Sequence, residues 1–383
     1  MSKLKVMTVF GTRPEAIKMA PLVLELQKHP EIEPLCCVTA QHREMLDSVL
    51  NIFKIKPDYD LNIMAPRQTL ASITTKILTG LDEVLDKAKP DIVLVHGDTS
   101  TTFAGALASF YRGIRVGHVE AGLRSFDKYS PFPEEVNRKL TGNIADLHFC
   151  PTVNNAENLK NEKIDGEIFI TGNTVIDALK TTVRDDYSFH SDELKKIDFG
   201  AYRTVLLTAH RRENYGEPME NIMNAIKELV GEHPDIQIIY PVHLSPAVRD
   251  TVFPILSDVA RVHLIDPIDV DDMHNLMARC HLILTDSGGL QEEAPSLGKP
   301  VLVLRTETER PEAVVAGTVK IVGVDKSVIL KEANRLLNCD DAYQQMAHAA
   351  NPYGDGLASE RIANAILWSM AGIGSRPSDF SAR

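Results

Sequence analysis

The chain is poor in the features that would serve a secreted, metal-built or nucleic-acid-binding protein. Its 383 residues hold five cysteines, Cys36, Cys37, Cys150, Cys280 and Cys339, an odd number with no CxxC spacing. Most stand in or beside apolar runs, as buried free thiols do, so neither a disulfide framework nor a cysteine metal site is expected. Free thiols suit a reducing cytosol. No apolar run approaches the ~18 residues of a membrane-spanning helix, and a strand-like segment, Leu4–Phe10, begins too early for a signal peptide. A cytoplasmic protein without a membrane partner is therefore expected. Positive charge is also short, with 41 Lys and Arg against 53 Asp and Glu and a net charge of −12. With no basic run to override it, that balance argues against nucleic acid as a partner. An anionic ligand would have to be met by a few placed arginines, lysines and helix N-termini. No metal-ligand spacing is evident.

What is present is an alternation of short β-rich runs and helical stretches. In the first half the runs fall at Leu4–Phe10, Leu35–Thr39, Ile92–His96, Arg115–Val119, Leu147–Cys150 and Ile168–Thr171. In the second they fall at Thr204–Thr208, Gln237–Tyr240, Val262–Ile265, Leu282–Thr285, Val301–Leu304 and Val319–Val322. Continuous rather than alternating apolar runs suit parallel strands covered on both faces. Six and then six predict an α/β protein of two doubly wound, Rossmann-like domains. The expected limits are 1–172 for the first domain and 173–365 for the second. Residues 366–383 read as the end of a C-terminal helix and a tail. The Gly-, Ser- and Pro-containing tail from Gly372 to Arg383 reads as frayed. The polar stretch Asp185–Tyr202 reads as a loop.

In such sheets ligands bind beyond the carboxyl ends of the strands, and two facing domains would share a central cleft. The informative motifs do follow strands. Gly11-Thr12-Arg13-Pro14-Glu15 leads into a helix carrying Lys18, with proline suited to the first helical turn. Arg13 and Lys18 would add charge where exposed N–H groups already favour an anion, although a plain strand–turn–helix joint has the same composition. The turn lacks the GxGxxG pattern of a dinucleotide site, which disfavours a Rossmann oxidoreductase. In the second half, Thr285-Asp286-Ser287-Gly288-Gly289 opens a helix containing Gln291, Glu292 and Glu293. Its free N–H groups suit a diphosphate. Glu293, about a turn later, is placed to accept from ribose hydroxyls, although a solvated helix glutamate is the default reading of such a position. Glu309-Arg310-Pro311-Glu312-Ala313 echoes the first turn, with Arg310 at a helix entry. Ionisable groups also sit at strand ends: Asp98, Glu120, Glu134 and His210. Taken singly, each could be an N-cap or an ion-pair partner. Four together point to chemistry. His118 and His263 read as core histidines; His96 stays open.

The stretches FGTRPEAIKMAPL, TAQHREML, VLVHGDT, GHVEAGLR, SPFPEEVNR, FITGNTVIDAL, TAHRREN, YPVHL, LTDSGGLQEEAPSLGKPVLV, TERPEAV and NPYGDG run from residue 6 to about 356. Together they resemble the non-hydrolysing UDP-N-acetylglucosamine 2-epimerase family, of GT-B fold. The resemblance implies that Arg13, Lys18, Ser287, Gly288, Gly289, Glu293 and Arg310 hold the UDP part of the substrate. It implies catalytic roles for Asp98, Glu120, Glu134 and His210, a C-terminal helix and tail (residues 366–383) that pack back on the first domain, a homodimer, and no cofactor. Met273 stands where the uracil pocket of such proteins often carries an aromatic residue, so ring stacking is not expected there. Some bacterial members bind a second UDP-N-acetylglucosamine as an activator; the matching positions are Gln41, Arg67, Glu134, Arg211 and His243. Glu44 stands where glutamine is expected, and a carboxylate near a diphosphate would weaken that allosteric site.

The C2 proton of the sugar is not adjacent to a carbonyl, so direct deprotonation is prohibitive. The route the resemblance implies is anti elimination of UDP to 2-acetamidoglucal, followed by re-addition after protonation from the opposite face. It calls for cations and helix dipoles for departing UDP and carboxylates near C1 and C2 to move protons. Rival readings are a GT-B glycosyltransferase, a hydrolysing epimerase and a non-catalytic UDP-sugar sensor. The set Asp98, Glu120, Glu134 and His210 argues against the last, because binding alone does not require it.

Overall fold

The structure is a computed structural model that describes residues 3–41, 43–65 and 67–382. His42 of the motif quoted above and the final residue of the tail, Arg383, lie outside them. The first parallel sheet contains β1 (Leu4–Phe10), β2 (Ile32–Val38), β3 (Tyr59–Asp60), β4 (Ile92–His96), β5 (Arg115–Val119), β6 (Leu147–Cys150) and β7 (Glu167–Ile170). Their order is β3-β2-β1-β4-β5-β6-β7. The second contains β8 (Arg203–Thr208), β9 (Ile236–Pro241), β10 (Val262–Ile265), β11 (Leu282–Thr285), β12 (Val301–Val303) and β13 (Val319–Ile321), ordered β10-β9-β8-β11-β12-β13. The expected α/β architecture of two doubly wound sheets is what the chain adopts. In each sheet the winding reverses beside the first strand, between β1 and β4 and between β8 and β11. Ligands of such sheets bind at that reversal. The strand β3, two residues long, was not expected, because so short a piece carries no readable period.

The chain divides into two compact units, one running to Thr181 and resuming at Tyr353–Ser381, the other spanning Thr182–Pro352. This differs from the expected junctions at Gly172 and residue 366. The helix Thr174–Thr182 begins in the first unit, where the N–H of Asn173 donates to the carbonyl of Tyr353 at 2.6 Å. The carboxylate of Asp177 accepts from the N–H groups of Ala358 (3.2 Å) and Ser359 (2.7 Å). It thereby occupies the start of the helix Ala358–Ala371, where negative charge is favoured. That helix packs against the helix Arg13–Leu26 of the same unit.

The strands are apolar because both faces are covered. Val93, Leu94 and Val95 of β4 and Val205, Leu206 and Leu207 of β8 are fully buried. Four of the five cysteines are buried, Cys339 being the exposed one. Burial pushes the Cys36 thiol up to about 12, so it is inert as a nucleophile.

The tail is ordered, contrary to its composition. Phe380 is buried and donates its N–H to the carbonyl of Ile170 at 2.7 Å, while Asp379 accepts from the N–H of Ile170 at 2.9 Å. The guanidinium of Arg376 lies 4.3 Å from the ring centre of Phe169 and donates to the carbonyl of Ile168. Long-range contacts to β7 override a locally flexible composition. Among the described residues no helix is long and apolar enough to cross a membrane.

The turn after β1 shows why the first motif has its sequence. A Cβ on Gly11 would lie 1.9 Å from Oγ1 of Thr39 and 2.7 Å from Oγ1 of Thr101, so only glycine fits. Thr12 and Glu15 form a capping box at the start of the helix Arg13–Leu26. Glu15 is buried, accepts from the N–H groups of Gly11 (3.0 Å) and Thr12 (2.8 Å), and takes the hydroxyl of Thr99 at 2.7 Å. Much of this motif therefore builds the joint, which fixes where Arg13 and Lys18 stand.

Candidate active site

In the first unit, β4, β5 and the two helices Arg13–Leu26 and Glu134–Ile144 deliver one cluster of charge. Lys18 is hydrogen-bonded to Oε1 of Glu120. The same oxygen accepts from the side-chain amide of Asn173 at 3.0 Å. Oε2 of Glu120 lies 3.5 Å from Nε2 of His96. Glu120 itself has a φ of +60°, a left-handed conformation that costs a non-glycine residue energy and persists where the surroundings impose it. Asp98 follows β4 through Gly97 and is gripped by Arg138, whose Nε and Nη2 both reach Oδ2, at 2.9 and 2.8 Å. The side-chain amide of Asn137 donates to the Asp98 carbonyl at 2.8 Å.

These contacts set the protonation states. Burial pushes Asp98 above the ordinary carboxylate range and Glu120 adds to the push, while Arg138 and Lys18 pull it back. Burial holds His96 neutral, its pKa pushed down to about 4 against the pull of Glu120. His118 is a satisfied core histidine, bonded through Nε2 to the carbonyl of Gly97 at 2.7 Å and pushed down to about 3 by burial. Glu134 is the first residue of its helix, and its Oε2 is buried without a hydrogen-bond partner among the described residues. Arg13 opens its own helix and is exposed.

In the second unit a cluster forms at the ends of β8 and β11. Asp286 is fully buried, and its Oδ2 accepts from the N–H groups of His210 and Arg211, both at 2.8 Å, and from the amide of Asn214 at 3.1 Å. Its Oδ1 lies 3.5 Å from Nδ1 of His210. Burial lowers the His210 pKa, with Asp286 acting in the opposite sense and His243 and Arg211 reinforcing the fall. The ring of His243 stacks on that of His210 at 5.5 Å, nearly parallel. Two guanidinium groups converge over Gly288: a Cβ placed there would be 3.8 Å from Arg211 and 3.9 Å from Arg310. Arg310 is also ion-paired with Glu292. Ser287 stands at the N-cap position of the following helix, which starts at Gly288, without a side-chain capping bond. The carboxylate of Glu293 overhangs Gly289 and lies 3.5 Å from Nε2 of buried His274, which is tied by Nδ1 to Thr182 at 2.7 Å. Met273, half-buried, is the neighbour of His274 in the helix Val270–Arg279.

The structure thus brings Lys18, Asp98 and Glu120 together in one unit, and His210, Arg211, His243, Gly288 and Arg310 in the other. Gln41 is half-buried, and Glu44 and Arg67 are exposed. No hydrogen bond or ion pair among the described residues joins these three to the Glu120 cluster. Sequence reasoning missed Arg138, Asn137, Asn173, Asp286 and His274, although the first four lie inside quoted motifs. A buried-type partner for each strand-end acid was the signal available. One grouping with metal-ligand atoms close together, His190, Asp269 and Asp272, also escaped it. Its atoms already bond internally: His190 to Asp269 at 2.8 Å, and Asp272 with the hydroxyl of Tyr187 and the N–H of Ser191, each at 2.8 Å.

Buried carboxylates paired with cations, and a patch of arginine and glycine suited to an anion, fit a nucleotide-sugar enzyme. Comparison with known proteins gives the same direction. The profile of the UDP-N-acetylglucosamine 2-epimerase family matches residues 24–367. A UDP-N-acetylglucosamine 2-epimerase from Bacillus subtilis is 60% identical, the alignment covering all of both chains. A crystal structure from Listeria monocytogenes, described as of that epimerase, superposes with a TM-score of 0.94 at 54% identity and full coverage of both chains. The Neisseria meningitidis epimerase, solved bound to UDP-GlcNAc, gives 0.84 at 52% identity over 95% of this chain and all of its own. With profile, sequence and fold agreeing over nearly its whole length, the chain belongs to the UDP-N-acetylglucosamine 2-epimerase family, enzymes of GT-B type fold.

Proposed function

We propose that the enzyme interconverts UDP-N-acetylglucosamine and UDP-N-acetylmannosamine without net hydrolysis, by anti elimination of UDP to 2-acetamidoglucal and re-addition. The observation that carries this is the pair of cation-bonded carboxylates, Asp98 and Glu120, beside a buried neutral histidine. In this reading breakage of the anomeric C–O bond places positive charge at C1, which acidifies C2–H. Asp98 and one of Glu120 or Glu134 move the C2 proton on opposite faces. His210, Arg13, Lys18 and Arg310, with the N–H groups from Ser287 through Gly289, receive the departing diphosphate. Glu293 accepts from the ribose, and Met273 lies against the uracil. Lys18 serves both sets, since it already bonds Glu120.

UDP-N-acetylglucosamine as an activator, acting through Gln41, Arg67, Glu134, Arg211 and His243, belongs to the same proposal, and Glu44 is expected to weaken it. A homodimer is proposed too; Phe110, Tyr111 and Leu140 are large exposed apolar side chains on helices of the first unit that pack together, the kind of surface a partner covers. A cytoplasmic enzyme supplying surface polysaccharide precursors fits this substrate.

The test is proton NMR of the enzyme with UDP-N-acetylglucosamine in D2O, without acceptor or added cofactor. Deuterium at C2 in both epimers supports the reading. Free N-acetylmannosamine accumulating instead would make the enzyme hydrolysing, and no change would point to an acceptor-dependent transferase.

A further inference from the structure

We propose that Arg138 is the positioning residue for Asp98, holding that group as a carboxylate and fixing which of its oxygens meets the substrate. The inference rests on the reading of Asp98 as a proton-transfer group given above. The geometry is unlike that of a simple internal ion pair. A guanidinium that only neutralises a carboxylate commonly binds both oxygens in parallel. Here Nε and Nη2 converge on Oδ2 alone, so Oδ1 is not used by the guanidinium.

Arg138 is itself fixed from behind. Its Nη1 donates to Oε2 of Glu135 at 3.2 Å. Glu135 is fully buried and held by the N–H groups of Ser125 (2.9 Å) and Phe126 (3.2 Å), with Lys139 at 4.0 Å. The guanidinium is therefore clamped between two carboxylates, one of them immobile. Asn137, one residue away, fixes the Asp98 backbone. Glu135, Asn137 and Arg138 all stand in the first turns of the helix Glu134–Ile144, which also presents Glu134. One helix thus sets the position of two of the proposed catalytic carboxyl groups.

The charges facing Asp98 are Arg138 from that helix, Glu120 from the end of β5 and Lys18 from the helix Arg13–Leu26. Lys18 is bonded to Glu120, whereas Arg138 is bonded to Asp98 directly. Burial and Glu120 both favour the protonated acid, so the ionised form depends chiefly on Arg138. A base must be ionised to accept the C2 proton, and its efficiency falls once its pKa rises past the working pH.

The test uses the full-length enzyme and follows kcat and kcat/KM for UDP-N-acetylglucosamine against pH, with UDP affinity measured separately. In Arg138→Met the acid limb of the profile is expected at higher pH than in wild type and kcat about tenfold lower or more, with UDP affinity unchanged. Arg138→Lys keeps the charge but not the two-nitrogen grip, so kcat falls while the acid limb stays close to its wild-type place. Glu135→Gln leaves the Arg138 charge undivided and should move the limb the other way, which keeps the test open if Arg138→Met does not fold. A fall in kcat with the limb unmoved in both Arg138→Met and Glu135→Gln would reduce Arg138 to a structural ion pair and overturn the proposal. If wild-type enzyme incorporates no deuterium at C2, the reading of Asp98 itself fails, and this inference with it.

Discussion

The side-chain amide of Asn173 donates to Oε1 of Glu120 at 3.0 Å, while the backbone N–H of the same asparagine is bonded to Tyr353 at 2.6 Å. A proposed catalytic carboxylate is thereby anchored to a segment that returns to the first unit from the far end of the sequence.

Asn173→Ala removes that donor, and with it the Oδ1 that accepts from the N–H of Val175 at 3.1 Å, but leaves the backbone bond. Because hydrogen bonds to charged groups contribute roughly 1.5–3 kcal/mol, kcat should fall about tenfold or more, while the lost Val175 bond lowers stability by about 1 kcal/mol. Steady-state kinetics beside thermal unfolding separates the two effects. A melting loss without a kinetic loss would assign Asn173 to the fold alone.

Asp286→Asn should lower the His210 pKa further. Burial already depresses it, and Asp286 is the charge that opposes the fall. An asparagine oxygen can still accept, but its NH2 would face donors in a fully buried site, at a stability cost of about 1–3 kcal/mol. Titration of the His210 ring proton by NMR, with urea unfolding, checks both. An upward shift of the imidazole would refute the assignment.

Acidification should destabilise the fold through its buried histidines. Folded His96 and His118 titrate near 4 and 3, against an ordinary value of 6.5, so the unfolded chain binds protons that the folded chain refuses. The stability they contribute is present above pH 6.5 and is lost as pH falls toward those values. At about pH 5 each costs roughly 2 kcal/mol. The raised carboxyls of Glu15 and Asp98 act in the opposite sense, so His118→Gln, compared with wild type in urea at neutral and acid pH, isolates the imidazole part. Its acid loss should be shallower than that of wild type.

Gly11→Ala should unfold or strongly destabilise the protein, by about 2–3 kcal/mol, since the added Cβ overlaps Thr39 and Thr101. Combining it with Thr39→Ala removes the nearest atom and should recover part of the loss in a thermal melt. Full stability of the single variant would mean that the turn can widen.

The fold was largely readable because parallel strands announce themselves as continuous apolar runs; β4 is apolar up to His96, and β8 is apolar through its buried centre, Val205–Leu207. Asp98, Glu120 and His210 were readable because they end such strands. Their supports were not. Arg138 lies 40 residues from Asp98, and Asn173 lies 53 from Glu120. No local period encodes a contact of that range. His274 looked like any helix residue until Glu293 was found against it. The tail failed for the converse reason. Its Gly, Ser and Pro content describes the free chain, whereas Phe380 and Arg376 find partners only in the folded unit, on β7 and on the helix Ala358–Ala371.

That tail has a consequence for solubility. As the last strand of its sheet, β7 would present unpaired N–H and C=O groups along Ile168–Ile170, the template on which another chain could add a strand. Arg376, Asp379 and Phe380 occupy those groups instead. Proteolytic loss of about the last ten residues would leave the proposed catalytic residues in place, yet uncover an adhesive edge, so the clipped enzyme would leave solution by aggregation before it lost its chemistry.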